Sequence, residues 1–312
     1  MCYSAKARQE YRLFVREYGA SLSIKEYIRL FWSRKEKGSP YRIPKAMEDA
    51  FLRDASADTA EIRDLILAYR AEEVTRVEQE MFAQMQRLNT AERDLQHKVT
   101  KKAENDKRIA TNKIEAAKAK LSDLRRGETL PRDTRIFPGN YCTVLASEGG
   151  QRVVMPMRYQ CRPPGKPAFY DKQYSASYNA RRDNLGSTFW QGTFGYSHAI
   201  MVADTFYENV TGDDGKNKIL EFTPRDGQPM LIACLWSRWT DPKGIEPDLL
   251  SFAAITDEPE PEVAAAGHDR TIINIKPEHL DAWLNPDPAN LDALQAIFDD
   301  KRHPYYEHRE AA

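Results

Sequence analysis

Residues 198–208, HAIMVADTFYE, carry the clearest structural signal in this chain. After His198, residues 199–203 are small, apolar or β-branched, and such a short apolar run is typical of a buried β-strand. Glu208 follows three further residues of strand character, so a carboxylate stands at the end of the predicted strand. The stretch therefore predicts a β-rich domain with an acidic group at one strand end.

Similar short runs recur from residue 132 to about residue 284. The candidate strands are residues 141–146, 152–158, 198–203, 218–222, 230–235, 251–256 and 271–275. Asp-Gly pairs at 214–215 and 226–227 supply the turn chemistry of β-hairpins. Together these features predict an α+β fold whose main domain is built from mixed or antiparallel strands.

Residues 58–126 differ in composition from the strand-rich segment, because they contain neither glycine nor proline and are rich in Ala, Glu, Lys, Arg and Gln. Apolar residues recur there at steps of three and four, which predicts an amphipathic helix or coiled coil. A turn near Asn105 would fold the block into an antiparallel hairpin. The alternative, one straight helix, would reach roughly 100 Å at about 1.5 Å per residue.

Four regions follow from these patterns: residues 1–57, 58–126, 127–285 and 286–312. The first is predicted to hold helices over residues 5–18 and 23–31, with Ser23 and Glu26 at capping-box spacing. The last is a polar tail, with one helix over residues 291–300 and a loose end, HPYYEHREAA.

Composition excludes several classes of protein. The 46 basic and 47 acidic residues nearly cancel, so net charge indicates no particular partner. The four cysteines, Cys2, Cys142, Cys161 and Cys234, show no zinc-site spacing, and no metal or cofactor is predicted. No leader sequence or apolar run of about 18–20 residues is present, so we expect a soluble, cytoplasmic protein with reduced thiols and no membrane partner.

Cys2 directly follows the initiator Met1. Removal of Met1 would leave one residue with both a free α-amine, which titrates near ~7.7–8.0, and a thiol, which titrates near ~8.5. An aldehyde can form a Schiff base with such an amine, and the thiol can then close a five-membered thiazolidine ring. Cys2 is therefore a candidate nucleophile.

Four short motifs stand in a fixed order along the chain. They are Cys2 at the terminus, YNAR at 178–181, ADTFYE at 203–208 and GHDR at 267–270. This arrangement resembles the SRAP (SOS response-associated peptidase) family, whose members crosslink covalently to abasic sites in single-stranded DNA. The resemblance covers residues 1–5 and about 132–284, and the helical block 58–126 has no counterpart in the usual family pattern.

The resemblance implies a role for each catalytic candidate. Cys2 would attack the aldehyde of the ring-opened abasic sugar, and Glu208 would be the general acid/base. His268 would move a proton to the sugar hydroxyl, and Asn179 would hold Cys2 or a DNA phosphate through its amide. A Schiff base needs a proton delivered to the departing oxygen, so these residue types fit the chemistry.

The partner implied by the resemblance is single-stranded DNA that contains abasic sites. Arg181, Arg182 and Arg270 are candidate phosphate contacts. Tyr178 and Trp190 are candidate stacking partners for the flanking bases, worth roughly 1–3 kcal/mol per base. The helical block is in addition a candidate surface for a protein partner or for self-association.

Simpler interpretations stay open for several of these residues. Asn179 could stabilise a turn, Glu208 could be a solvated carboxylate, and His268 could be a loop residue without a role. Trp190 could belong to the core. The lysines and arginines of residues 98–126 could form the solvated face of a helix.

The sequence also departs from the family pattern at several positions. Tyr3-Ser4 replaces the usual Gly-Arg after Cys2, Thr205 and Asn209 replace Gly and Trp, and Asp183 replaces Glu. The leading hypothesis is a divergent SRAP-type enzyme that captures abasic sites through Cys2, with a possible peptidase activity. One alternative is a non-catalytic DNA- or protein-binding scaffold on the same fold, and another is an N-terminal nucleophile hydrolase.

Overall fold

The computed structural model describes residues 3–38, 41–212 and 214–311. The helices are α1 Tyr11–Tyr18, α2 Ile24–Lys37, α3 Lys45–Leu52, α4 Ala60–His97, α5 Lys101–Arg125, α6 Tyr170–Gln173, α7 Pro261–Ala265, α8 Leu280–Leu284 and α9 Leu291–Asp299. The strands are β1 Ser4–Ala7, β2 Ser21–Leu22, β3 Arg135–Ile136, β4 Tyr141–Glu148, β5 Gln151–Tyr159, β6 Asn179–Arg181, β7 His198–Thr211, β8 Asn217–Pro224, β9 Met230–Trp239, β10 Leu249–Asp257, β11 Thr271–Ile272 and β12 Tyr306–Glu310. The predicted α+β class, with mixed strand directions and a long helical block, is confirmed.

The sheet closes on itself through five strands. β4 pairs with β5 and β7, β9 pairs with β7 and β10, and β10 returns to β5 as a parallel neighbour. Side chains that face away from the helices, such as Phe206, Phe222 and Phe252, pack in one apolar cluster. Residues on the opposite face, such as Ile200 and Leu235, pack against α1–α3, the base of α4, α8 and α9. Both faces of the closed sheet are therefore buried.

The first strand of the protein was not predicted. The sequence predicts a helix over residues 5–18, but Ser4–Ala7 forms β1, and α1 begins only at Tyr11. β1 is antiparallel to β7 on one side and to β3 on the other, with Ser4 opposite Tyr207 and Ala5 opposite Phe206. Local propensity does not predict β1, because the strand is stabilised by pairing with β3 and β7, which are distant in the chain. Its position beside β7 determines where the N-terminal segment enters the sheet.

The helical block forms an antiparallel hairpin, as one of the two interpretations expected, but the predicted position of the turn was wrong. α4 ends at His97 and α5 begins at Lys101, so Asn105 lies inside α5. The side chain of Thr100 accepts a hydrogen bond from the Ala103 backbone N–H, which satisfies one of the free N–H groups at the start of α5. This cap, which the sequence pattern did not reveal, explains why the helix starts there.

Buried ion pairs attach the base of the hairpin to the N-terminal helices. Glu48 on α3 accepts from Arg34 on α2 and from Arg70 on α4, the latter at 2.6 Å. Arg70 also donates to Asp49 at 3.0 Å. Removing one member of such a buried network leaves an uncompensated charge, which typically costs about 3–5 kcal/mol.

The C-terminal segment was predicted to be loose, and this was wrong. Tyr306–Glu310 forms β12, antiparallel to β8, with Tyr306 opposite Pro224. Tyr306 is buried and lies edge-on to Phe206, with ring centroids 5.0 Å apart. The segment therefore completes the apolar cluster beneath β7. The predicted helix at 291–300 is confirmed within one residue.

Most predicted strands are present, although their bounds differ from those predicted. The strand that begins at His198 continues to Thr211, so that Glu208 lies inside a strand. The predicted strand 271–275 is limited to Thr271–Ile272, and Asn274 adds an isolated bridge to Ile232.

Ser23 precedes α2 but makes no side-chain capping bond, so the expected capping box does not form.

None of the helices in the described part of the chain is long and apolar enough to cross a bilayer.

Candidate functional site

The turn that ends helix α7 fixes the position of His268. α7 ends in a Schellman motif, in which the N–H of His268 bonds to the carbonyl of Val263 and the N–H of Gly267 bonds to the carbonyl of Ala264. Gly267 has φ of +91°, a conformation that a residue with a Cβ adopts at a cost. Because Val263 is fully buried, the motif anchors the short helix and fixes the direction of the histidine.

Two of the predicted catalytic residues meet at the end of this motif. Nε2 of His268 lies 3.3 Å from Oε2 of Glu208. Glu208 is 1% exposed, on the same face of β7 as Phe206, since alternate residues of a strand share a face. The carboxyl group therefore points into the buried side of the sheet and meets the imidazole there.

The environment of the pair favours its uncharged form. Burial raises the pKa of the Glu208 carboxyl to about 8. Burial also lowers the pKa of the His268 imidazole, which the hydrogen bond to the Arg270 carbonyl only partly offsets. At neutral pH we therefore expect a protonated carboxyl beside a neutral imidazole.

The second ring nitrogen of His268 indicates the tautomer. Nδ1 lies 2.9 Å from the carbonyl oxygen of Arg270, which can only accept a hydrogen bond. The backbone N–H of Arg270 also lies 3.3 Å from Nδ1, but the shorter contact to the carbonyl favours a proton on Nδ1. Nε2 is then left as an acceptor that faces the carboxyl of Glu208. The pair can therefore pass one proton between an acid and a base, which is the arrangement that general acid/base catalysis needs.

The motif at 178–181 adjoins this pair through a bridging carboxylate. Asp183 accepts hydrogen bonds from Arg181 at 2.5 and 2.9 Å and from Arg270 at 3.4 Å. The hydrogen bond from Arg181 holds the pKa of Asp183 below its ordinary value. Asn179 lies on the same face of β6 as Arg181 and accepts a hydrogen bond from the Tyr159 hydroxyl at 3.3 Å. Two of the sequence motifs are thus joined in space.

The other predicted DNA contacts fall in different places. Tyr178 is half-buried and lies edge-on to Tyr159 at 5.6 Å, beside Asn179. Arg182 instead points to α9, where it binds Asp299 at 2.5 Å and Gln295 at 3.0 Å. Trp190 is 4% exposed within the cluster under the helices. The geometry therefore gives Tyr178 a place beside the site, and gives Arg182 and Trp190 places in the packing of the fold.

The predicted nucleophile, Cys2, lies outside the described residues. The first described residue, Tyr3, donates its backbone N–H to the carbonyl of Tyr207 at 3.2 Å. The chain thus enters the sheet beside the residue that precedes Glu208. Cys142, Cys161 and Cys234 are buried, and burial raises the pKa of the Cys142 and Cys161 thiols to about 12, so these thiols are inert at neutral pH.

Arg135 was not predicted as a site residue. Its guanidinium lies 3.6 Å from the ring centroid of Tyr207, and its Nε donates to Oγ of Ser4 at 3.1 Å. It therefore holds β1 against β7, on the face of β7 opposite Glu208. No local pattern identifies it, because the contact depends on strands that are far apart in sequence.

The description of the matching family model is "SOS response associated peptidase (SRAP)", and the match covers residues 87–310. This range is more than two thirds of the chain, and it contains Asn179, Glu208 and His268. The chain belongs to the SRAP family. Membership associates it with the SOS response to DNA damage.

Three solved structures are similar to part of this chain. A protein from Bordetella bronchiseptica is 19% identical, with a TM-score of 0.48, over 57% of this chain and 87% of its own. A protein from Bacteroides thetaiotaomicron is 14% identical, with a TM-score of 0.47, over 57% and 77%. A phage-related protein from Bordetella bronchiseptica is 18% identical, with a TM-score of 0.42, over 57% and 80%. A search of curated proteins found no match. Membership in the SRAP family therefore rests on the family model.

Proposed function

We propose that this protein captures abasic sites in single-stranded DNA through a covalent bond to Cys2. The observation that carries the proposal is the Glu208–His268 pair, with Nε2 and Oε2 3.3 Å apart, at the place where the N-terminal strand enters the sheet. Burying a carboxyl group costs free energy, and buried titratable groups whose pKa values are shifted cluster at functional sites.

The proposed chemistry begins with the ring-opened form of the abasic sugar. The α-amine of Cys2, freed by loss of Met1, adds to the C1′ aldehyde and expels water to give a Schiff base. The thiol of Cys2 then adds to the imine carbon, and the imine nitrogen takes up a proton as the thiazolidine closes. The protonated carboxyl of Glu208 would donate its proton to the departing oxygen, which leaves as water. Nε2 of His268 would accept the proton that the amine nitrogen loses as the imine forms and would pass it back to the Glu208 carboxylate.

The DNA contacts in the proposal follow the geometry. Arg181, with a half-exposed side chain, is the proposed phosphate contact. Asn179 is proposed to orient the nucleophile or a phosphate, and Tyr178 is proposed to stack on a flanking base. Arg270 is 8% exposed and donates to Asp183, so we assign it to positioning His268 and Arg181.

The direct test is denaturing gel electrophoresis of the protein mixed with a single-stranded oligonucleotide that carries one abasic site. We expect a heat-stable shifted band with the wild type and none with Cys2→Ala. Cys142→Ala is the matched control, because that thiol is buried and should leave the band unchanged. Mass spectrometry establishes that Met1 is absent from the sample.

The absence of a band from correctly processed wild-type protein would contradict covalent capture. Unchanged, non-covalent DNA binding by Cys2→Ala and wild type alike would then favour the scaffold interpretation. A fragment released from the N-terminus during incubation would instead indicate peptidase activity.

A further inference from the structure

The Asp183 carboxylate lies between two arginines that differ in their access to solvent. It accepts hydrogen bonds from Arg181 at 2.5 and 2.9 Å and a longer one from Arg270 at 3.4 Å. The side chains of Arg181 and Asp183 are 49% and 52% exposed, whereas Arg270 is buried. A ligand that arrives from solvent therefore meets the Arg181–Asp183 pair first.

The hydrogen bonds of this pair use donors that a phosphate would also use. Nε and Nη2 of Arg181 donate to Oδ1 and Oδ2 of Asp183, one to each oxygen. Arginine binds a phosphate through the same forked geometry. A DNA phosphate that takes these donors must displace Asp183, and one that takes the remaining donors is held beside a like charge.

Asp183 is also the acid with the largest electrostatic effect on Arg181. Its hydrogen bonds raise the pKa of the Arg181 guanidinium, and the charges of Asp269 and Glu258 add smaller contributions in the same direction. The positive charge that we assign to a DNA phosphate is therefore already compensated, mainly by one neighbouring carboxylate.

The second arginine connects Asp183 with the acid/base pair. The backbone carbonyl of Arg270 lies 2.9 Å from Nδ1 of His268. The guanidinium of the same residue lies 3.4 Å from Asp183 and 3.7 Å from the exposed carboxylate of Glu258. Asp183 is the nearer of these two acids, so it helps to fix the residue whose backbone holds the histidine.

We propose that Asp183 sets the affinity of the site for single-stranded DNA and couples DNA binding to the position of His268. A phosphate takes Arg181 from Asp183, and the released carboxylate then turns fully to Arg270, which is already within hydrogen-bond distance. The stronger contact holds Arg270, and with it His268, in place. This inference rests on the proposed function, because it concerns the phosphate contact of the same site.

Fluorescence anisotropy with a single-stranded oligonucleotide that lacks an abasic site measures binding separately from capture. Asp183→Asn removes the competing charge and nearly keeps the size of the side chain, so we expect the dissociation constant to fall at least about threefold. Asp248→Asn is the matched control, because Asp248 forms an ion pair of similar exposure with Arg29 and the variant loses the same charge. Its dissociation constant should equal that of the wild type.

A double-mutant cycle with Arg181→Ala separates competition from general repulsion between Asp183 and DNA. In the Arg181→Ala background, Asp183→Asn should no longer tighten binding, because there is no arginine to release. An equal gain in affinity in both backgrounds would overturn the inference, since it would assign the effect to repulsion alone.

The capture rate at saturating abasic oligonucleotide tests the link to His268. Asp183→Asn leaves Arg270 without the nearer of its two acidic partners, so this rate should fall at least about threefold although DNA binds more tightly. A folding defect would instead weaken binding and slow capture together. Opposite changes in affinity and rate therefore identify Asp183 as a positioning residue.

The failures of this inference and of the proposed function are distinguishable. Wild-type affinity of Asp183→Asn would overturn the competition, and an unchanged rate at saturation would overturn the link through Arg270. Both results leave covalent capture through Cys2 intact. A wild type that neither binds nor captures the oligonucleotide would overturn the two proposals together.

Discussion

Oε2 of Glu208 and Nε2 of His268 lie 3.3 Å apart, one on a long strand and the other at the end of a helix of five residues. The sequence shows the order of the motifs at 203–208 and 267–270, and this contact brings the two motifs together in space. Burial removes both groups from water, and this raises the pKa of the Glu208 carboxyl and lowers the pKa of the His268 imidazole.

Glu208→Gln should change how stability depends on pH. The carboxyl ionises near pH 4.5 when unfolded and near pH 8 when folded. The folded state therefore holds the extra proton between these values, and the free energy of unfolding of the wild type falls as pH rises through that window. Gln does not ionise, so from pH 5 to pH 8.5 the variant should gain on the order of 3 kcal/mol relative to the wild type.

Urea unfolding at a series of pH values measures this difference. Glu307→Gln, on the exposed face of β12, is the matched control and should follow the wild type. Parallel stability curves for Glu208→Gln and wild type would show that Glu208 is not protonated in the folded protein.

Gly267→Ala should strain the turn that presents His268. A methyl group added at Gly267 would meet no atom within 4 Å, so the cost comes from the backbone, which has φ of +91°. We expect a loss of roughly 1–2 kcal/mol in unfolding free energy and slower DNA capture. Gly127→Ala is the control, because Gly127 also has open space around it but lacks a positive φ. Equal effects at both positions would contradict this account.

Arg135→Ala should slow capture without unfolding the protein. The change removes the stacking on Tyr207 and the hydrogen bond to Ser4, so β1 is held less firmly against β7. Small displacements of reacting groups can cost up to about a hundredfold in rate, and we expect at least about tenfold here.

Single-turnover capture rates measure this effect. Arg132→Ala, which removes an exposed arginine paired with Asp123, should leave the rate unchanged. If Arg135→Ala captures DNA at the wild-type rate, the contacts of Arg135 with Tyr207 and Ser4 are not needed to hold β1 in place.

Glu262→Gln should loosen α7. Burial opposes ionisation of Glu262, but hydrogen bonds from the Tyr306 backbone N–H at 2.6 Å and from His303 at 2.8 Å hold its pKa below the ordinary value. The resulting stabilisation is present above the unfolded pKa, near 4.5, and is lost as pH falls through the lower folded value. At neutral pH we expect a loss of about 1–3 kcal/mol.

Thermal unfolding at pH 7 and in acid measures this loss, with Glu246→Gln at an exposed position as the control. The gap between Glu262→Gln and wild type should narrow in acid. A gap that stays constant would assign the effect to packing instead of charge.

The sequence predicted the parts of the fold that local patterns encode. Apolar runs such as that of β9, and the three- and four-residue steps of α4, are visible without knowledge of their partners. β1, β6 and β12 escaped because each is short and is stabilised by pairing with a strand far away in the chain. Asn105 was a plausible turn residue, but the cap at Thr100 determined where α5 begins.

The same distinction applies to the site. Residue types and their order made Glu208 and His268 candidates, whereas the raised pKa of Glu208 depends on burial that only the folded chain creates. Arg181 and Arg182 are neighbours in sequence, yet they point in different directions at the end of β6, so Arg182 contacts α9 whereas Arg181 borders the site. Trp190 could be assigned to a cluster only after the helices were in place.

The pairing of β12 with β8 has a consequence for biosynthesis. Tyr306 is synthesised well after Phe206, the residue of β7 against which it packs. At roughly 5–20 residues per second, the stretch from Phe206 to Tyr306 takes on the order of ten seconds to translate. During that interval β8 has no β12 beside it, and the apolar cluster around Phe206 is incomplete. The cluster beneath β7 is thus one of the last parts of the fold to close during synthesis.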